Sequence, residues 1–160
     1  MKKLTLSVFM YLALVSMAHA GNSLKITNAW IPETPPAARV MAGYMKIYNP
    51  GTQNINITAV SSPAFKRVEM HLSKEVNGVA KMLEQKKLSI PAKGKLILKA
   101  GSYHLMLMKP LKRLSHGEQA QLTFTLSNGE KINLMADVRK NVKKRHKIMK
   151  CGEGKCGGGM

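Results

Sequence analysis

Apolar and polar residues alternate with a period of two along most of this chain, the pattern of strands that lay one face on a core. Residues 24–31 (LKITNAWI) predict a first strand and residues 32–39 (PETPPAAR) a proline-rich loop. Residues 40–49 (VMAGYMKIYN) predict a second strand that ends at the turn-forming Pro50-Gly51. Further strands are expected at 54–60 (NINITAV), which is short and β-branched, and at 67–73 (RVEMHLS). KKLSI and KLILK flank a turn at 91–94 (PAKG). No long helical period appears. Short strands at regular spacing predict an all-β fold, an antiparallel sandwich or barrel.

Two Asn-Gly pairs mark hairpins, because both residues accept the positive φ of a tight two-residue turn. Around Asn128-Gly129, Leu122, Phe124 and Leu126 alternate with polar residues, while Ile132, Leu134, Ala136 and Val138 share one parity. Around Asn77-Gly78 the flanks are HLSKEV and VAKMLE. With those two residues as the loop, Ser73 faces Met82 and His71 faces Glu84. His71 and Met82 then share a face as diagonal neighbours, roughly 7–8 Å apart. A longer loop or a bulge would shift this register.

In GSYHLMLMKP (101–110), His104, Met106 and Met108 have one parity and Leu105 and Leu107 the other. A strand here sends the leucines to the core and sets an imidazole beside soft sulfur on the opposite face. The chain thus offers two His–Met pairs, His71 with Met82 and His104 with Met106. Thioether is a soft ligand and imidazole suits copper. A neutral set of two His and two Met fits Cu(I), whereas zinc more usually takes Cys, His or carboxylate. A blue-copper centre needs a cysteine, and none lies before Cys151. The plainer reading also stands at this point: a lone strand histidine is a half-buried polar residue and a lone methionine is core.

Composition narrows the setting. The 160 residues suit one domain, and the aromatic fraction is only 5%. Residues 1–20 read as a signal peptide, with Lys2 and Lys3 ahead of an apolar run from Leu4 to Met17 and a small-x-small site ending at Ala20. That run is short for a membrane span. The expectation is therefore a periplasmic protein, cleaved after Ala20, with no later span. Cleavage removes two lysines and no acid, taking the formal charge from +18 to +16. Such a charge favours acidic protein partners or polyanions. No nucleic-acid-binding motif is present, and no nucleophile–base pair, paired carboxylates or phosphate loop suggests an enzyme. The domain is expected to span 21–138, with a mobile, basic, glycine-rich tail from 139 to 160. That tail holds His146, Met149, Cys151 and Cys156, either a second soft-metal site or plain thiols that oxidise outside the cytoplasm. His116 is expected in a solvated loop.

The spacing of the four donors, H-x10-M-x21-H-x-M from His71 to Met106, resembles that of the periplasmic copper(A) chaperone family, PCu(A)C. The flanking blocks ITNAWIPETPP, AGYMKIYNPG, SSPAFKRVEMH, NGVAKMLE and AGSYHLMLMKPLK resemble that family's landmarks in order, from about Leu24 to Val138. The resemblance implies a cupredoxin-like β-sandwich holding one Cu(I) through His71, Met82, His104 and Met106. It also implies copper delivery, often to the CuA centre of cytochrome oxidase; the positive charge suggests an acceptor with an acidic surface, and a monomer is expected. Met70 and Met108 sit beside motif positions as packing or supporting residues. Glu69 shares His71's parity and either orients the imidazole or, as the habit of Glu favours, stands exposed on the strand. The departure from the family pattern is the Cys-bearing tail, which makes copper sequestration the alternative function.

Overall fold

In the computed structural model, which describes residues 24–140, every regular element is a strand. They are β1 (Lys25–Pro32), β2 (Val40–Tyr48), β3 (Ile55–Ser61), β4 (Phe65–Val76), β5 (Val79–Glu84), β6 (Leu88–Ile90), β7 (Lys95–Leu98), β8 (Tyr103–Pro110), β9 (Gln119–Leu126) and β10 (Lys131–Arg139). The expected leader, and the tail donors His146, Met149, Cys151 and Cys156, lie outside the described residues. β10 runs through Arg139, which the sequence reading placed at the start of the tail.

Neighbouring strands follow the order β5-β4-β8-β2-β1-β10-β9-β3-β6, with β7 also on β2. β2 turns the corner between two sheets. Its first half, Val40–Gly43, pairs with β8, and its second half, Met45–Tyr48, pairs with β7. Between the sheets lies a core that includes Met41, Ile47, Met70, Leu105, Leu107, Leu122 and Phe124. The alternation seen in the sequence is therefore the alternation of core and solvent.

Three features go beyond the sequence pattern. The fold is mixed rather than purely antiparallel, because β1 and β10 run parallel, with Trp30 beside Asp137 and Pro32 beside Arg139. Alternation sets which face a strand buries and carries no signal for which distant strand lies alongside. The strands flanking PAKG do not pair with each other: β6 joins β3 and β7 joins β2, so the turn passes between partners. The Asn128-Gly129 hairpin has a three-residue loop, since Leu126 N–H donates to the Glu130 carbonyl and Lys131 opposes Thr125. Only an odd loop keeps the even-numbered apolar residues of β9 and β10 on one face, and Gly129 closes it at φ +82°. By contrast, Asn77 (φ +54°) and Gly78 (φ +76°) form the two-residue turn, with Ser73 opposite Met82 and His71 opposite Glu84 as expected.

Two buried details hold the sandwich. Gly43 lies opposite Leu105, and a Cβ there would sit 3.2 Å from the leucine Cβ. Gly43→Val is accordingly expected to lower stability by about 1–3 kcal/mol, read from the midpoint of urea unfolding. Asn49 is fully buried. Its Nδ2 donates to the carbonyls of Gln53 (2.7 Å), Ile90 (3.2 Å) and Pro91 (3.1 Å), and its Oδ1 accepts from Gly51 N–H (2.9 Å).

Candidate metal centre

The centre is built on the face of β4, β5 and β8 that points away from the core. Leu105 and Leu107 are fully buried on the inner face, and Met70 packs there opposite Leu105. Met70 is thus a core residue. Along the outer face, cross-strand pairs place Glu69 opposite Met106 and His71 opposite His104. The two imidazoles approach to 5.9 Å between ring centroids, tilted by 45°. Met82 reaches the same face from β5, one pair beyond His71. Met108 lies farther along, opposite Arg67 and Val40.

Hydrogen bonds decide which nitrogens are available. His104 Nδ1 lies 2.9 Å from the Ser102 carbonyl, which can only accept. That nitrogen therefore carries the proton, and Nε2 keeps a lone pair. His71 Nε2 lies 2.8 Å from a Glu69 carboxylate oxygen, so Nε2–H donates and Nδ1 is left bare. This Nδ1 is buried and has no hydrogen-bond partner among the described residues. An unsatisfied buried acceptor costs about 1–3 kcal/mol, and a metal ion would relieve it. The Glu69 side chain is only 9% exposed and also takes the Arg67 guanidinium. The exposed-strand reading of Glu69 is thus corrected. Its charge is tolerated in a buried position because a cation and an imidazole N–H both meet it.

A cavity of about 360 Å³ opens over the face, lined by Met82, His104 and Met106 together with Ser73, Ala42 and Tyr44. Burial pushes the Tyr44 hydroxyl above its ordinary pKa. Among the donors there is a gradient: His71 and His104 are buried, Met106 is half-buried, and Met82 is 62% exposed. Met82 stands out because β5 is an edge strand exposed along its whole length. Strand register thus sets His71, Met82, His104 and Met106 on one face, with the last three lining the cavity and His71 beside it, outside the lining. The described residues hold no group of three or more His, Cys, Asp or Glu side chains suited to a metal. The candidate donor set is two imidazoles and two thioethers, which fits a soft monovalent ion better than a hard one.

Sequence reasoning missed the Ser102 carbonyl and the cavity walls at Ala42 and Tyr44. The signal for Ser102 was present, two residues before His104 on the same parity. His116 is exposed in a loop, as expected.

Comparison with known proteins bears on the family and the fold. The LpqE-like family model, for a group described as lipoproteins, matches residues 24–138. The chain belongs to the LpqE-like family. Among solved structures, the family fold matches the copper-bound PCuAC domain from PmoF2, with a TM-score of 0.63 at 18% identity over 73% of this chain and 92% of that one. CuI-DR1885 from Deinococcus radiodurans matches with a TM-score of 0.60 at 31% identity, over 74% of this chain and 79% of that one. The same protein in its apo form matches at 29% identity with a TM-score of 0.58. Comparison with curated proteins finds no match. This LpqE-like chain therefore has the expected cupredoxin-like β fold of the PCuAC domains. No helix among its described residues is long and apolar enough to cross a membrane.

Proposed function

We infer that this protein is an exported carrier of one Cu(I) ion, held by His71, Met82, His104 and Met106 and passed to an acceptor. The carrying observation is the facing imidazole pair, each ring with one nitrogen committed to a hydrogen bond and the other bare. Copper here is cargo. A carrier needs no nucleophile or general base, only donors that hold the ion and can be replaced one at a time. Relatives point the same way: the PmoF2 domain was solved with copper and DR1885 with CuI. Export rests on the leader pattern of residues 1–20, and the family resemblance implies a CuA-type acceptor.

The geometry suits release. His71 and His104 are buried, while Met82 stands 62% exposed on an edge strand. An approaching donor would meet the thioether first. The ion then changes partners by ligand exchange, with no change in oxidation state. Neutral soft donors favour Cu(I) over Cu(II).

The test is Cu(I) titration of the mature chain against a colorimetric chelator, followed by mixing the loaded protein with an apo CuA domain. One tightly bound equivalent that moves to the CuA domain supports delivery. Retention by the loaded chain would favour sequestration, with Cys151 and Cys156 as the holding thiols. An absence of stoichiometric binding would remove both readings.

Glu69 gives a second check. Glu69→Gln leaves a neutral amide beside His71 and Arg67, weakening the hold on the imidazole. Cu(I) affinity should fall about 10–100-fold in the same chelator competition, with the far-ultraviolet circular dichroism of the sheets unchanged.

A further inference from the structure

We propose that the basic, aromatic face adjoining the copper pocket is where a carboxylate-rich acceptor protein docks. The inference rests on the carrier reading and locates its partner. Hand-over by ligand exchange requires an acceptor donor within bonding distance of the ion, so the acceptor must cover the opening formed by Met82, His104 and Met106. A specific protein interface covers about 800 Å² on each partner, far more than that opening. Contact must therefore spread onto neighbouring surface.

On one side that surface is a groove of about 590 Å³, which shares Pro32, Tyr44 and Ala100 with the copper pocket. Trp30 and Tyr44 line it, their rings 5.0 Å apart and tilted by 53°. A register shift between Thr27 and Trp30, with Asn28 at φ +51°, marks a bulge just before the tryptophan. Bulges re-aim side chains in this way. Lys46, Lys99 and Arg139 complete the cationic lining. The face continues beyond the groove at Tyr48, which pairs with both Lys25 and Lys95. Tyr48 and Ile97 are exposed, at 41% and 40%.

β1, β2 and β7 contain no Asp or Glu. The nearest carboxylate across the β1–β10 pairing, Asp137, is engaged by Gln119 (2.9 Å) and Arg139 (3.0 Å). Those two bonds, Gln119 first, hold its carboxyl below the usual range. On the opposite side of the pocket, the β4–β5 hairpin mixes Glu75 and Glu84 with Lys74 and Lys81. An acidic partner is thus attracted more strongly to the β1–β2–β7 flank than to the hairpin flank, where acids and bases are interleaved. Half-buried Trp30 and Tyr44 and exposed Tyr48 among cations also match the residue types that dominate protein interfaces.

The transfer step is balanced without a co-reactant. At each exchange one copper–donor bond to this protein breaks as one to the acceptor forms, a binding cysteine thiol releases its proton to solvent, and the ion stays Cu(I). Two synthetic peptides test the docking face, both carrying the same Cys-x3-Cys segment, one flanked by glutamates and one by glutamines. The loaded mature protein should transfer copper to the glutamate peptide at least about tenfold faster at low salt, with the advantage fading in 0.5 M salt. Lys46→Glu with Lys99→Glu should erase most of that preference. Lys87→Glu with Lys131→Glu, the same charge change elsewhere, should keep it.

Equal transfer to both peptides by the parent protein would overturn the proposal, as would equal effects of the two double variants. Vesicles containing phosphatidylglycerol separate a lipid surface from a protein one. If Lys46→Glu with Lys99→Glu weakens vesicle binding and leaves the peptide preference intact, the face belongs to membrane and the proposal fails. A Cu(I) titration of every variant keeps the two readings distinct. Loss of copper binding by the parent protein would instead remove the carrier reading.

Discussion

His104→Ala is expected to lower Cu(I) affinity by more than about a hundredfold while leaving the domain folded. Removing a group that merely orients a ligand loses about 10–100-fold, so removing a ligand should exceed that. The folding penalty is small for a local reason. The Ser102 carbonyl that accepts from His104 Nδ1 also accepts from Ser73 N–H at 3.1 Å, so it keeps a partner. The stability loss should stay near 1–2 kcal/mol. Met106→Ala should act in the same direction. His116→Ala, in its exposed loop, should change neither quantity. The measurement is chelator competition on the full mature chain with Cys151 and Cys156 alkylated, so that thiols do not mask the effect. Parent-like affinity in both His104→Ala and Met106→Ala would mean that copper sits elsewhere.

Asn49→Ala should produce the largest loss of stability of the changes considered, about 3 kcal/mol, although it lies away from the metal face. The side chain ties Gln53, Ile90 and Pro91 carbonyls to the Gly51 amide. It thereby joins the end of β2 to the β6–β7 connection, across a separation of some forty residues in sequence. Alanine leaves the buried Gly51 amide and Ile90 carbonyl short of a partner, at about 1–3 kcal/mol for each group fully stranded. For a domain of this size the melting temperature should drop on the order of 10 °C. Asn49→Asp would keep the acceptor for Gly51 while losing the donors, and should recover little. A thermal scan within 2 °C of the parent, roughly the effect of a neutral surface change, would show that ordered water replaces the amide. Copper stoichiometry at low temperature should be unchanged, because the knot and the four donors occupy different parts of the fold.

The contrast between these two residues shows how far the sequence could be read. His71, Met82, His104 and Met106 were legible because strand parity and one hairpin register decide their faces, and both are local. The Asn77-Gly78 turn has positive φ at both residues, and the pairing follows by counting. Asn49 looked like an ordinary turn residue beside Pro50-Gly51. Its importance comes from carbonyls supplied by a distant connection, which no local pattern announces. Glu69 was misjudged for a related reason. Burial of a carboxylate depends on Arg67 and His71 converging on it, and composition habits favour exposure when those partners are not visible. The parallel neighbours β1 and β10 were missed because adjacency between chain ends leaves no mark in either strand.

That parallel pairing has a practical consequence. Pro32 and Arg139 lie side by side, and Pro32 borders the copper pocket. Lys25 starts β1 at its other end, roughly 20–25 Å away at strand rise. A tether joined directly after Arg139 would emerge next to the metal mouth and compete with incoming partners. One attached ahead of Lys25 would leave that mouth clear and would instead adjoin the far end of the basic face.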